Sequence, residues 1–250
     1  MCNDFSIKCE PVAEAPLPVQ PEPPKEPTFA LPPSEPIMEA VEGVRFDFNH
    51  GLRIKFPDKG EYRCVFKDLD TDCLLYSMDV KPGCTVESVK KFYIRFRLEI
   101  YRKDDLKEPI FTHDLDLTGK EVLIQLPVGA LGDTIAWFSF VERFQKKHRC
   151  KLVCTMEPRF VKIFKAQYPD IHFITKDDAV NMKPYATYNL GLFFGGDTDH
   201  QPFDFRQIGL HRTAGKILGI EDLSDMPPRV DLTAKRKIKE KYVVIAAQAS

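Results

Sequence analysis

The sequence lacks the features that define three large classes of protein. It contains no run of 18 apolar residues, so no helix is expected to cross a membrane. Its 36 Lys and Arg residues are balanced by 37 Asp and Glu residues, and this net charge of -1 excludes the basic surplus of a general nucleic-acid binder. Residues 1–10 have no apolar run behind a basic start, so we expect no secretory signal and a cytoplasmic location.

Cysteine is present, but its spacing indicates neither a metal site nor redox chemistry. The sequence has seven cysteines and no Cys-x-x-Cys pair, so the common zinc-ribbon and thioredoxin spacings are absent. A chain of 250 residues does not need disulfides for stability, and we expect reduced thiols. Cys150 and Cys154 lie four residues apart on a predicted strand, so both should point to one face and be buried packing residues.

Proline is concentrated in one segment near the N-terminus. Residues 11–36 hold ten of the 20 prolines. Proline lacks a backbone N–H and has a fixed φ, which disfavours both helix and sheet interiors. We therefore expect residues 1–43 to form an extended, disordered arm. A proline-rich ligand for an aromatic groove is the alternative.

Alternation with a period of two dominates the next segment. In residues 91–101 every second side chain is apolar, as in a strand with one buried and one solvated face. Residues 61–68 and 74–80 flank a polar connection and predict a hairpin. Residues 44–118 should therefore form a small all-β domain, either a barrel or a sandwich. Within residues 91–101, the side chains predicted to face the core of this domain are Phe92, Ile94, Phe96, Leu98 and Ile100.

From residue 119 onward, β and α patterns alternate. Such alternation predicts the α/β class, with a parallel sheet and helices on its faces, and we assign residues 119–234 to a Rossmann-like domain. The predicted strands cover residues 121–126, 151–155, 171–175 and 188–194, and the predicted helices cover residues 133–147, 158–168 and 205–218.

The C-terminal residues predict part of a further domain. Residues 235–241 are polar and basic, which is typical of a linker, and residues 242–247 have the apolar composition of a buried strand. We therefore expect residues 235–250 to be a linker and the first strand of a second, truncated domain.

The most informative motif is a strand, a turn and a helix over residues 122–137. Gly129 and Gly132 allow a tight turn and a close approach to the backbone. Asp133 is predicted at the start of the helix, at the carboxyl end of the first parallel strand, where open α/β sheets bind ligands. Its carboxylate has two alternative roles that spacing does not separate, helix capping and catalysis. The turn matches neither Gly-x-Gly-x-x-Gly nor a P-loop, so a dinucleotide site is not expected.

Several segments match, in order, those of a known enzyme family. They are Phe-Asp-Phe-Asn-His-Gly at 46–51, Lys-Asp-Leu-Asp-Thr at 67–71, Lys-Phe-Tyr-Ile-Arg-Phe-Arg at 91–97, Gly-Ala-Leu-Gly-Asp-Thr-Ile-Ala-Trp at 129–137, and Phe-Arg-Gln-Ile-Gly-Leu-His-Arg-Thr-Ala-Gly-Lys-Ile-Leu-Gly at 205–219. Together they resemble the bacterial autotransporter O-heptosyltransferases, the TibC-like family, which is related to the ADP-heptose:lipopolysaccharide heptosyltransferases. The resemblance covers residues 44–250 and leaves the proline-rich arm outside.

This resemblance implies a fold and an activity. The implied fold is a GT-B glycosyltransferase, in which a barrel-like domain precedes the N-terminal Rossmann-like domain and the second GT-B domain is largely missing. The implied activity is inverting transfer of heptose from ADP-heptose to Ser hydroxyls of autotransporter passenger proteins, with Asp133 as general base. The alternatives are a non-catalytic acceptor-binding or assembly fragment, and a lipopolysaccharide heptosyltransferase.

The resemblance also implies ligands and partners. Members of the family bind iron through four cysteines in their second half, and no cysteine of this chain corresponds to them, so we expect no metal here. The expected partners are an autotransporter passenger domain, ADP-heptose and further copies of the full-length protein in a homo-oligomer. The residues expected to bind substrate or donor are Gly129, Ala130, Leu131, Gly132, Thr134 and Ser250.

Three further candidates come from local composition. Residues 195–200 contain two carboxylates and an imidazole, and we expect either a polar loop over the acceptor cleft or a plain surface loop. His211 and Arg212 lie on a predicted helix, where they either face the donor phosphates or form a solvated face. Trp137 is expected either to border the site or to pack under the sheet.

Overall fold

The computed structural model describes residues 28–126, 130–231, 239–241 and 243. The disorder expected for residues 1–27 therefore lies outside the described residues, as does the strand expected over 242–247 apart from Val243. Within the described ranges, no helix is both long enough and apolar enough to cross a membrane.

Twelve strands and five helices are present in these ranges. The strands are β1 (Met38–Glu39), β2 (Arg45–Asn49), β3 (Arg53–Lys55), β4 (Tyr62–Asp68), β5 (Cys73–Val80), β6 (Thr85–Glu87), β7 (Phe96–Arg102), β8 (Phe111–Asp114), β9 (Glu121–Gln125), β10 (Lys151–Thr155), β11 (His172–Ile174) and β12 (Ala186–Asn189). The helices are α1 (Leu131–His148), α2 (Pro158–Phe164), α3 (Lys176–Ala179), α4 (Phe205–Ile208) and α5 (Leu210–Ile217).

Eight strands form one mixed sheet, in the order β11-β10-β9-β12-β2-β3-β6, with β1 paired to the start of β2. The strands from β11 to β2 are parallel, and β3 and β6 continue the sheet in antiparallel pairs. This differs from the separate all-β domain predicted for residues 44–118, because β2 joins β12 and extends the parallel part of the sheet. Alternation identified the strands of that segment, but it carries no information on which strands pair.

The other four strands form an antiparallel sheet in the order β5-β4-β7-β8. The pairing of β4 with β5 confirms the predicted hairpin. Strand β7 buries Phe96, Leu98 and Ile100 as predicted, whereas Phe92 and Ile94 precede the strand and are half-buried. Most buried apolar side chains of the two sheets belong to one hydrophobic core. Leu123 and Val153 instead form a second, smaller cluster with Ala30 and Ala179.

Helix α1 packs on the apolar face of the parallel strands. Its Phe138, Val141 and Phe144 are fully buried in the common core. Their spacing of three residues is typical of the buried side of a helix. The helix begins two residues before the predicted start and ends at a left-handed residue, Arg149. The single helix predicted over residues 205–218 is divided into α4 and α5, because Gly209 between them has a φ of 86°.

The opposite face of the eight-stranded sheet carries many polar side chains, and these are buried. Residues 28–37, which we call the N-terminal strap, cover part of this face: Ala30 is buried, and the Pro33 carbonyl accepts a hydrogen bond from Arg53. This order differs from the disorder predicted for residues 1–43, because the polar face offers hydrogen-bond partners to a segment without regular structure of its own. The buried polar side chains of this face are Asp47, Asn49, Arg53, Gln125, Thr155 and Thr187.

Candidate active site

Strand β9 leads to the predicted active-site turn, and its end is held from two sides. The Ala30 N–H donates to Gln125 Oε1 at 2.8 Å, and Gln125 Nε2 donates to the Ala30 carbonyl at 2.9 Å. From the neighbouring strand, Thr155 Oγ1 accepts from the Leu126 N–H at 3.0 Å and lies 3.3 Å from the Leu126 carbonyl, to which it donates. Because these groups are buried, an alternative position of the strand end would leave polar atoms unpaired.

Asp133 lies in the first turn of α1, shortly after this strand end. The helix begins at Leu131, and its N-cap is Ala130, which provides no side-chain capping bond. Asp133 is therefore not the N-cap residue, which was one of its two alternative roles. Its side chain is partly exposed and has no hydrogen bond or ion pair with the described residues. A helix N-terminus favours a nearby negative charge by about 0.3–1 kcal/mol, so a free carboxylate is available there as a proton acceptor.

The other predicted binding residues near Asp133 differ in accessibility. Ala130 and Gly132 are exposed, and Leu131 is half-buried. Apart from its chain neighbours and the nearby backbone of α1, no heavy atom of the described residues lies within 4 Å of the position that a Cβ on Gly132 would take, so this backbone is open to a ligand. Thr134 is buried, and its hydroxyl donates to the Ala130 carbonyl at 3.3 Å. Two of the predicted binding residues lie outside the described ranges, namely Gly129 and Ser250.

Further polar side chains lie at the same carboxyl edge of the sheet. Asn189 is opposite Gln125 in the parallel pairing of β12 with β9, and His50 follows the next strand, β2. Asn189 Oδ1 and His50 Nε2 are buried and have no hydrogen-bond partner in the described part of the chain. Burial lowers the pKa of His50 to about 4, and the charge of Arg53 adds to this effect. The sequence identified His50 as part of a turn and of a resembling segment, and not as a site residue. The signal for a site residue is a polar side chain directly after a buried strand.

The acidic loop at residues 195–200 is organised by its own hydrogen bonds. The Asp197 carboxylate accepts from the backbone N–H groups of Asp199 and His200, and its Oδ2 lies 2.8 Å from His200 Nδ1. Lys90 Nζ contacts Asp199 Oδ1 at 3.1 Å, and the His200 ring stacks on Phe193. Nowhere in the described ranges do three or more His, Cys, Asp or Glu side chains lie where they could hold a metal ion. The arrangement fits a structured polar loop.

The remaining local candidates make contacts within the protein. Trp137 is buried, and its Nε1–H donates to the Leu210 carbonyl at 3.0 Å, which confirms the predicted packing role. His211 Nε2 lies 2.7 Å from Asp225 Oδ1, and Arg212 approaches the same oxygen at 3.4 Å. Both side chains are thus paired with a carboxylate of the protein itself.

Three of the described cysteines are buried in the core. Cys64 and Cys154 are fully buried, and burial raises the pKa of both thiols well above the usual range. Burial also raises the pKa of Cys150 to about 11. The positions of Cys150 and Cys154 confirm the prediction that both are buried packing residues.

Comparison with known proteins identifies relatives of this chain. A family model described as "Glycosyltransferase TibC, N-terminal domain" matches residues 41–104. The autotransporter heptosyltransferase Aah of Escherichia coli is 48% identical over 223 residues, which are 89% of this chain and 56% of Aah. The inactive autotransporter heptosyltransferase BimC of Burkholderia thailandensis is 38% identical over 224 residues, which are 89% of this chain and 52% of BimC.

A solved structure is similar over most of the chain. The dodecameric iron-containing heptosyltransferase TibC, in complex with ADP-D-beta-D-heptose, matches with a TM-score of 0.81 and 42% identity, covering 86% of this chain and 55% of that one. The chain spans about half the length of the curated relatives that it matches. The resemblance predicted from the sequence is confirmed: the chain belongs to the autotransporter heptosyltransferase family.

Proposed function

We propose that this chain is part of a glycosyltransferase that transfers heptose from ADP-heptose to Ser hydroxyls of autotransporter passenger proteins. Aah is named an autotransporter heptosyltransferase, and TibC was solved with ADP-heptose. The observation that carries the proposal is the position of Asp133. Its carboxylate lies in the first turn of a helix, next to the carboxyl edge of a parallel sheet, and has no partner among the described residues.

In this proposal, Asp133 acts as general base in a single displacement. The Ser oxygen attacks the anomeric carbon of the heptose from the side opposite to the diphosphate. The Ser O–H proton passes to the Asp133 carboxylate as the new C–O bond forms. The bond between the anomeric carbon and the diphosphate oxygen breaks at the same time, and its electron pair leaves with ADP. The anomeric configuration is therefore inverted.

The accessible backbone around Asp133 supports a sugar site at this turn. Gly132 has open space where a side chain would project, so a sugar hydroxyl can approach the start of α1. Thr134 is buried, and we assign it an indirect role through its bond to the Ala130 carbonyl. The substrate or donor contacts that we propose are Gly129, Ala130, Leu131, Gly132, Thr134 and Ser250.

The proposed full protein has two GT-B domains, of which the sheet described here belongs to the acceptor side. A second domain, in the half of the relatives that this chain does not match, would hold the nucleotide of the donor. Because TibC is dodecameric, we propose that the full protein is a cytoplasmic homo-oligomer. The iron of TibC would bind outside the described residues, since no group of three or more His, Cys, Asp or Glu side chains within them could hold a metal ion.

A non-catalytic acceptor-binding or assembly protein is the second candidate, and one relative favours it. BimC is 38% identical to this chain and is named an inactive autotransporter heptosyltransferase. Both candidates bind the same acceptor class on the same fold. They differ in whether the Asp133 carboxylate accepts a proton.

The substitution Asp133→Asn separates the two candidates. It is made in a protein that joins this chain to the C-terminal half of its relatives. Asn has the shape of Asp but cannot take the proton, so the transfer rate should fall by roughly 10²- to 10⁴-fold. ADP-heptose affinity should be unchanged. The melting temperature should fall only slightly, since Asp133 bonds to none of the described residues and the substitution removes only the favourable interaction of its charge with the helix N-terminus.

The matched control is Asp177→Asn, which changes an exposed carboxylate in the first turn of α3. This variant should transfer heptose at the parental rate. An Asp133→Asn variant with parental turnover would end the general-base assignment. A parental protein that binds the passenger but transfers no heptose would establish the non-catalytic candidate.

A further inference from the structure

We propose that Gln125 is a positioning residue that couples the N-terminal strap to the turn carrying Asp133. This inference rests on the proposed role of Asp133 as general base. The juxtaposition behind it is the contact of Gln125, the last residue of β9, with Ala30 of the strap. Ala30 precedes Gln125 by 95 positions, so the contact joins a segment outside the βα pattern to the strand that leads into the site.

Packing alone does not require an amide at position 125, because an apolar side chain could fill the same space. Leu123, two residues earlier on the same strand, and Val153 on β10 fill the same face with apolar side chains. A buried amide is unfavourable unless its two ends are paired, and Gln125 pairs both with the backbone of Ala30. Shifting the strap by one residue would break both bonds. The amide therefore fixes one register between strap and strand.

The strap is also anchored away from Gln125, so Ala30 has a fixed position relative to the sheet. The Pro33 carbonyl accepts from Arg53 Nη1 at 2.8 Å, and the Ile37 N–H donates to Asp47 Oδ2 at 3.3 Å. Arg53 and Asp47 are in turn joined by two hydrogen bonds of 2.9 and 2.7 Å and are both buried. Gln125 is thus held by a segment that is itself fixed at two other points.

The distance from Gln125 to the proposed base is short along the chain. Leu126 follows Gln125 and is bonded to Thr155, and α1 begins only five residues later, at Leu131. A general base must lie within about 2.6–3.2 Å of the proton that it accepts. A misplacement of about 1 Å lowers a rate by roughly 100-fold. A strand end held by both the strap and Thr155 therefore places the first turn of α1 more accurately than one held by β10 alone.

Two substitutions break the contact from opposite sides. Gln125→Met keeps a similar shape but removes both bonds, and Ala30→Pro removes only the N–H that donates to Gln125 Oε1. The matched control is Asn49→Ala on the same polar face. It also removes two buried side-chain bonds, from Nδ2 to the Pro184 carbonyl and from Thr187 Oγ1 to Oδ1.

The kinetic measurement uses the protein that joins this chain to the C-terminal half of its relatives. Gln125→Met and Ala30→Pro should lower kcat for heptose transfer roughly 10- to 100-fold and leave KM for ADP-heptose unchanged. Asn49→Ala should lower the melting temperature by about as much as Gln125→Met does, because each removes two buried hydrogen bonds, but it should not change kcat. Equal kcat values for Gln125→Met and Asn49→Ala would overturn the positioning role.

A second measurement, amide hydrogen exchange in the 250-residue chain, does not depend on activity. The peptide covering residues 124–134 should exchange roughly tenfold faster in Gln125→Met and in Ala30→Pro, as expected for the loss of about one buried hydrogen bond. In Asn49→Ala it should exchange at the parental rate. Unchanged exchange there would overturn the coupling. Lower kcat with faster exchange, beside an Asp133→Asn variant that stays active, would support the coupling and refute the general base instead.

Discussion

The two faces of the eight-stranded sheet are both buried, but by different means. One face packs Phe48 and Ile54 into the core shared with α1 and the second sheet. The other face carries Asp47, Asn49 and Gln125, each joined to specific partners by hydrogen bonds. Apolar burial is non-directional and tolerates small shifts, whereas a buried hydrogen bond is lost when its partner moves. The first face thus supplies most of the stabilising free energy, and the second fixes the positions of chain segments.

The largest effect should come from a charge on β7 of the four-stranded sheet, where Phe96 packs against the apolar face of the eight-stranded sheet. Phe96 is 2% exposed, and its ring stacks on Phe48 at 6.4 Å between centroids. We expect Phe96→Asp to unfold the protein, because removing a core Phe costs about 3–5 kcal/mol and the new carboxylate would have no partner. Circular dichroism and protease resistance measure the result. Leu74→Asp, at an exposed position of β5, should behave as the parent, and a folded Phe96→Asp would remove this face from the core.

Breaking the polar face should have the next largest effect. Asp47 and Arg53 form a buried pair, with side chains 0% and 6% exposed. Arg53→Met leaves the Asp47 carboxylate buried without its partner, so the free energy of unfolding should fall by about 3–5 kcal/mol in urea denaturation. The double variant Asp47→Leu/Arg53→Met should recover part of this loss. No recovery would show that the unpaired charge is not the cause.

The sequence predicted the apolar face better than the polar one. The spacing of Phe138, Val141 and Phe144 and the alternation of β7 are local signals, and each places a side chain on the correct face. The position of Asp133 near a helix start was likewise local. The pairing of β2 with β12 and the contact of Ala30 with Gln125 join residues far apart in the chain.

The N-terminal strap shows why such contacts were not predicted. Residues 28–37 are rich in proline and polar residues, a composition typical of disorder. Their order comes from Gln125, Arg53 and Asp47, which offer buried polar groups to the strap backbone. A sequence pattern indicates the conformation that a segment prefers in isolation. It does not indicate which buried polar groups elsewhere in the chain need a hydrogen-bond partner.

Acidification should destabilise the protein through one histidine near each face. Burial lowers the pKa of His50 and of His148 to about 4. The His148 ring is tilted by 50° against the ring of Phe144, on the apolar side, at 4.5 Å between centroids. The folded values lie below the ordinary value of 6.5, so between pH 6.5 and 4 the unfolded chain binds more protons. Stability is therefore complete above pH 6.5 and falls towards pH 4, by about 1–3 kcal/mol for each histidine.

Urea denaturation across this pH range tests the two histidines separately. His148→Gln and His50→Asn should each remove about half of the histidine-dependent slope; Asn suits position 50 because φ there is 61°. His211→Gln is the control, since this histidine is more exposed and pairs with Asp225. A slope that persists when His50 and His148 are both replaced would assign it to carboxylates or to His113, whose pKa is also lowered by burial.

The smallest effect should come from an ion pair that matches Asp47–Arg53 in length but not in burial. Arg63 Nε lies 2.7 Å from Asp79 Oδ1 across β4 and β5, and the two side chains are 37% and 40% exposed. Arg63→Met should therefore cost at most about 1 kcal/mol, because water solvates the remaining Asp79 carboxylate, and the cost should shrink further in about 1 M salt. Urea denaturation of Arg63→Met and Arg53→Met under the same conditions compares the pairs directly. Equal losses of unfolding free energy would mean that burial does not distinguish the two ion pairs. The polar face of the eight-stranded sheet would then have no special role in fixing the strap.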